Sequence, residues 1–150
     1  MKAKEPERHF RLFEVVSDPG ALRVVCVPDA GFLLEKEGHR KVFYLEQDRD
    51  TTKSAERVAA AKCGGFSGLF AKQLHRKAFP ETNVDKFMVL MLAPTPRRRD
   101  ALLAAVAKRP GADLWRFASL TDLKPETFLA GPIWYPCEGE PKPLVKGGPA

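Results

Sequence analysis

Asp29, Glu46 and Asp48 are the residues of this sequence best suited to chemistry on a phosphate. Side chains alternate along an extended chain, so within residues 42–48 Val42, Tyr44, Glu46 and Asp48 share one face. Two acids thus continue an apolar stripe. The run 30–36 before it has a similar composition, and Glu37-Gly38-His39 in between reads as a hairpin turn in which glycine supplies the positive φ. A two-residue turn at Glu37-Gly38 sets Asp29 opposite Glu46, and one at Gly38-His39 sets Asp29 opposite Asp48. Either register gathers three acids, because directly paired side chains have Cβ atoms ~5 Å apart. A three-residue turn would put Asp29 opposite Gln47 instead. Three clustered carboxylates repel, and a hard divalent ion with oxygen ligands, Mg²⁺ or Mn²⁺, relieves the repulsion. Such an ion activates water and polarises a phosphoryl oxygen, as phosphodiester hydrolysis requires. The plainer alternative is strand-end acids that meet solvent or Arg49.

The elements around this corner follow from hydrophobic spacing. Residues 8–16 carry Phe10, Phe13 and Val16 at helical intervals, and 22–27 are β-branched and extended up to Pro28. After the hairpin, a threonine of Asp50-Thr51-Thr52 can cap a helix over 54–62, which Gly64-Gly65 is expected to close, with Gly64 to Gly68 as a hinge. A second helix over 67–79 ends before Pro80. The apolar run 86–92 reads as a strand covered on both faces. It leads through Thr95 as N-cap and Pro96 at the first helical position into a helix over 97–109. Pro110-Gly111 stops that helix, a strand follows over 114–120, and 121–129 form a short helix if Pro125 lies in its first turn. The strand-helix-strand order implies a parallel crossover. We expect one α/β domain over 1–136, with a mixed central sheet flanked by helices, and a flexible tail over 137–150.

Composition bounds the function. With 44% hydrophobic and 29% charged residues, the 150-residue chain is globular rather than disordered. Cys26, Cys63 and Cys137 are odd in number and far apart, without the C-x-x-C pair of a zinc or redox site, which reads as reduced thiols in a cytoplasm. No leader-like opening and no apolar run near the ~20 residues of a bilayer crossing is seen, so no membrane partner is expected. The absence of G-x-x-x-x-G-K-[ST] and G-x-G-x-x-G loops argues against nucleotide cofactors. His9, His39 and His75 are scattered and receive no chemistry.

Twenty-five Lys and Arg against nineteen Asp and Glu give a net charge of +6, which favours polyanions such as DNA. Arg97, Arg98 and Arg99 fall in the first turn of a helix, where positive charge opposes the macrodipole and where a phosphate would bind. Lys72, Arg76 and Lys77 form a second candidate phosphate track. The competing reading of both clusters is a solvated surface.

Val27-Pro28-Asp29-Ala30, then Phe43-Tyr44-Leu45-Glu46-Gln47-Asp48-Arg49 and Thr51, resemble the PDA … F-x-L-E-x-D-R-x-T core of bacterial replication-relaxation proteins of plasmids and mobile elements. Residues 87–92 followed by Thr95-Pro96-Arg97-Arg98, and the late Gly131-Pro132-Ile133-Trp134, extend the likeness. It implies a restriction-endonuclease-like αβββαβ core of the PD-(D/E)xK superfamily, in which Asp29 is the first metal-binding acid and Glu46 the acid of the (D/E)xK element. The lysine position of that element holds Asp48. Either Lys53 or Lys62 from the following helix supplies the lysine, or catalysis is lost. Glu14 on the first helix is a further candidate acid, or else a surface charge.

The resemblance also implies an upstream winged-helix DNA-binding domain, for which too few residues precede Val24, so a minimal relative or a separate winged-helix partner is expected. The function implied is a DNA-binding protein of plasmid replication, relaxation or mobilisation acting as a Mg²⁺-dependent endonuclease. Alternatives are a non-catalytic module that recruits a replication or partition partner, and a small regulator from a mobile element.

Overall fold

The computed structural model describes residues 13–16, 23–26, 28–49 and 52–145. It is a mixed α/β fold built on a four-stranded sheet in the order β3-β4-β5-β6. The strands are β3 (Ala30–Lys36), β4 (His39–Gln47), β5 (Met88–Ala93) and β6 (Trp115–Ser119). β3 pairs antiparallel with β4, while β4, β5 and β6 run parallel. A separate ribbon of β1 (Phe13–Val16) and β2 (Arg23–Cys26) lies beside the first helix.

The hairpin has the first of the two expected registers. Glu37 and Gly38 both have positive φ, 52° and 83°, the twisted two-residue turn that matches the twist of the flanking strands, and Lys36 stands opposite His39. Gly31 therefore faces Tyr44, and Asp29 lies one step beyond the Ala30↔Leu45 pair.

Helices α1 (Ala55–Ala71) and α3 (Pro96–Ala107) provide the two crossovers, and α2 (His75–Ala78) and α4 (Pro125–Phe128) are single turns. Because the strands are added in sequence order and parallel crossovers share one hand, both long helices fall on the same face. There Ala59, Cys63 and Phe66 of α1 and Leu102, Ala105 and Val106 of α3 pack on Val42, Tyr44, Val89, Met91, Trp115 and Phe117. The other face is closed by the chain after β6, with Phe128, Ile133, Trp134 and Leu144 against Phe43, Leu90, Leu92 and Ala118. Trp134 is fully buried and donates its indole N–H to Phe128 O at 2.9 Å.

Two expectations are corrected. Residues 13–16 form a strand paired with β2 rather than the end of a helix; the rest of the expected helix lies outside the described residues. Gly64-Gly65 does not end a helix, and the segment 64–68 is not a hinge between helices. α1 runs through the pair because burial of Phe66 and Leu69 beyond it offsets the ~1 kcal/mol that each helical glycine costs relative to alanine. The break comes at Gln73, left-handed at φ 52°, whose side chain donates to Phe70 O at 2.9 Å. After β6, Lys142 exchanges backbone hydrogen bonds with Trp134, and Val145 N–H donates to Leu129 O. Among the described residues no helix is long and apolar enough to cross a membrane.

His75 is fully buried, its ring edge-on to Phe87 at 5.1 Å, and its ring nitrogens make no hydrogen bond of normal geometry among the described residues, although the Val84 and Asp85 backbone is near enough to oppose part of the effect of burial. Burial lowers its pKa below the ordinary 6.5. The unfolded chain then binds a proton that the folded one refuses. Stability contributed by neutral His75 is complete above pH 6.5 and is lost as pH falls toward the folded pKa. Urea midpoints measured from pH 7.5 to 5.5 should fall more steeply for the wild type than for His75→Phe, all other groups being common to both. Parallel profiles would contradict this account.

Candidate active site

The acidic residues meet at the carboxyl ends of β4 and β5, the end of parallel strands where crossover loops leave a crevice. Asp29 sits just before β3 and is half-buried. Its N–H donates to Leu45 O at 3.0 Å, and its Oδ2 accepts from Gln47 N–H at 2.8 Å. It thus clips the last residues of β4 to the start of the hairpin and spends one carboxylate oxygen in doing so.

Glu46 follows Val42 and Tyr44 on the helix-covered face, as alternation requires, and its side chain is 3% exposed. Lys62, one helical turn before the buried Phe66, reaches down from α1 and places Nζ 3.2 Å from Glu46 Oε2. Burial raises the Glu46 pKa to about 7, with Lys62 opposing the shift and the nearby Asp29 charge adding to it. A carboxyl poised there can hold or release a proton at neutral pH.

Asp48 extends the β4-β5 ladder, its N–H donating to Leu92 O at 2.8 Å. Its side chain is 3% exposed and is held by Arg98 of α3, Nε to Oδ2 at 2.7 Å and a terminal nitrogen to Oδ1 at 3.4 Å. This guanidinium fork occupies both oxygens. Each of the three acids has its own protein donor, Gln47 N–H for Asp29, Lys62 for Glu46 and Arg98 for Asp48. Among the described residues no group of three His, Cys, Asp or Glu side chains is arranged to hold a metal ion.

Lys62 is the lysine brought to Glu46. Lys53 is exposed and lines the same cleft of about 200 Å³ with Glu46, Asp48, Arg49 and Lys62. Glu14 has its backbone in β1, and its side chain is outside the described structure.

The arginine triplet divides. Thr95 caps α3 by accepting from Arg98 N–H, and Arg97 is exposed beside it. Arg98 serves Asp48. Arg99 is buried with its guanidinium 3.9 Å from the Tyr135 ring centroid, and it pairs with Asp100 at 3.0 Å and Asp122 at 3.6 Å. Acids and an aromatic ring offset the unfavourable helix dipole at Arg98 and Arg99. Lys72, Arg76 and Lys77 are exposed, at and beyond the C-terminus of α1, with Arg76 paired to Asp85. Lys72 lies about 15 Å along the helix from Lys62.

Comparison with family models, with curated proteins and with solved structures found no match for the chain.

Removing the acid from the Asp48 pair leaves Arg98, only 13% exposed, without its counter-charge. Asp48→Ala should lower the free energy of unfolding by about 3 kcal/mol, since breaking a buried pair on one side is far costlier than replacing both partners. Asp48→Ala with Arg98→Met should recover part of that loss in a urea titration. Strict additivity would show that the two side chains do not act as a pair.

Proposed function

We propose that this chain is a nuclease-fold DNA-processing protein related to the replication-relaxation proteins, with Asp29, Glu46 and Lys62 as its phosphodiester-cleaving set. The observation that carries the reading is the approach of Lys62 Nζ to 3.2 Å from Glu46. It supplies from a helix the lysine that the strand position of Asp48 lacks. The antiparallel hairpin followed by a helical crossover to a parallel strand supports a restriction-endonuclease-like core. A separate winged-helix partner belongs to the same reading.

The donor set fits a small divalent ion. Among the described residues, Asp29 keeps one oxygen beyond its bond to Gln47 N–H, and Glu46 keeps Oε1 beyond its bond to Lys62. Mg²⁺ or Mn²⁺ is commonly held by one or two carboxylates, with water and substrate phosphate completing the shell. Asp48, with both oxygens on Arg98, is a positioning residue and no ligand. When bound, the ion would polarise a phosphoryl oxygen and acidify a water. Lys62, 41% exposed at the cleft, presents its ammonium to the charge that develops on the phosphate while keeping Glu46 oriented.

With Mn²⁺, the protein should convert supercoiled plasmid to nicked circles. Asp29→Ala, Glu46→Gln and Lys62→Ala should each slow this by roughly 100-fold or more. A wild type that does not nick, or variants that nick equally well, would sink the enzymatic reading. One observation favours a second reading, a non-catalytic module of the same fold that recruits a replication or partition partner: Glu46 and Asp48 both already have protein cations. Titration calorimetry that shows no Mn²⁺ binding would decide for it.

A further inference from the structure

The sheet face opposite the long helices carries three cations, Lys41 and Lys86 toward the amino ends of β4 and β5 and Arg116 near the start of β6, where it stands level with Leu90 and Leu45. Alternation along β4 turns Lys41 to the face of Phe43 and Leu45, and on β6 Arg116 shares the face of Ala118. Lys41 is half-buried, its Nζ 5.8 Å from the Phe43 ring centroid, and no carboxylate pairs with it among the described residues. Lys86, just before β5, pairs with Asp113 at 2.6 Å. Arg116 gives its guanidinium to two carbonyls, Asp113 O at 3.1 Å and Trp115 O at 2.8 Å. After burial, Arg116 and Lys86 are the groups that most destabilise the Lys41 charge, so the three cations form one electrostatic cluster. Asp113 is the one carboxylate bonded to any of them among the described residues.

Two cavities flank the row. One of about 310 Å³ lies between Leu34, Phe43 and Leu144, with Lys41 and His39 also lining it. The other, of about 410 Å³, is bounded by Asp113, Arg116, Cys137, Glu138 and Lys142. Glu37 and Glu138 line the outer parts of these cavities and bond to none of the three cations.

We propose that this row binds single-stranded nucleic acid, Lys41, Lys86 and Arg116 taking successive phosphates and the Leu34-Phe43-Leu144 cavity taking a base. β6 lies about 10 Å across the sheet from β4 and Arg116 stands four residues, about 13 Å, further along than Lys41, so the three cations span about 16 Å, the reach of about three phosphates along an extended strand. Lys41 at the rim of the Leu34-Phe43-Leu144 cavity, with Lys86 and Arg116 beyond it sharing the single carboxylate of Asp113, matches a nucleotide, which has an anionic edge and a flat, weakly hydrated ring. A duplex keeps its bases paired and has none to insert, so the cavity selects the single strand. The proposal rests on the DNA reading above only for the choice of polyanion, since it uses none of the corner residues.

The test is fluorescence anisotropy of the full chain with a labelled thymidine 12-mer and with a 12-base-pair duplex. The single strand should bind about tenfold tighter, with a log affinity against log salt slope near −2, since about three phosphates contribute ~0.7 each. Lys86→Gln, an exposed change that leaves the core intact, should weaken strand binding roughly threefold to tenfold. Lys41→Gln with Lys86→Gln and Arg116→Gln should lose about 100-fold. Equal affinity for duplex, an unchanged triple variant of wild-type circular dichroism, or displacement by poly-glutamate as effective as by DNA would each overturn the proposal. A wild type that binds the strand but does not nick plasmid removes the cleavage reading and supports this one. A wild type that nicks, with strand affinity untouched by the triple substitution, does the reverse.

Discussion

Two carboxylates leave water at the end of β4, and the cost of that desolvation organises the surrounding structure. Glu46 and Asp48 are each 3% exposed at the side chain, and an unpaired charge so placed would be strongly destabilising. Each is matched by a cation from a different helix, Lys62 of α1 and Arg98 of α3. Both helices pack on the same face of the sheet as the strand bearing the acids, so their positions and the ion pairs are one arrangement. The two pairs are nevertheless unequal. Arg98 is nearly buried and grips both oxygens of Asp48, whereas Lys62 is 41% exposed, holds one oxygen of Glu46 and leaves its partner titrating near neutrality. The first pair is a clamp, and the second has the freedom that chemistry needs.

The corner and the cationic row divide the sheet between them. Residues alternating toward the helices end in Glu46, while those alternating the other way begin with Lys41 on a face covered by Trp134 and Phe128 but open toward β4's amino end. A single strand thus presents an acid to one face at its carboxyl end and a base to the opposite face at its amino end. In the function proposed, the first holds the reacting phosphate and the second holds the strand.

Local signals in the sequence were strongest where local rules decide the backbone. Gly38 restricted the hairpin to a few registers, and Thr95-Pro96 located the start of α3, because a positive φ and a capped, proline-led first turn have few alternatives. Gly64-Gly65 misled, since tertiary burial of Phe66 and Leu69 outweighed local helix propensity. The strand at 13–16 was hidden because Phe10, Phe13 and Val16 fit a helical period equally well. At the site, alternation put Glu46 on the right face, but its pairing with Lys62, and that of Asp48 with Arg98, depends on helix placement that spacing does not encode. The one available sign was an arginine triplet set against a helix dipole, which calls for a nearby acid as much as for a phosphate. Lys41, Lys86 and Arg116 were missed altogether, since their convergence requires the parallel registers of β4, β5 and β6.

The central claim is that the corner is split, Asp29 and Glu46 open to a divalent ion and Asp48 closed by Arg98. Anomalous diffraction from crystals soaked in Mn²⁺ tests it most directly. The account predicts one manganese peak between the Asp29 and Glu46 carboxylates, with the Asp48–Arg98 pair unmoved. A peak on Asp48 with Arg98 displaced, or no peak at the corner at saturating Mn²⁺, would contradict it.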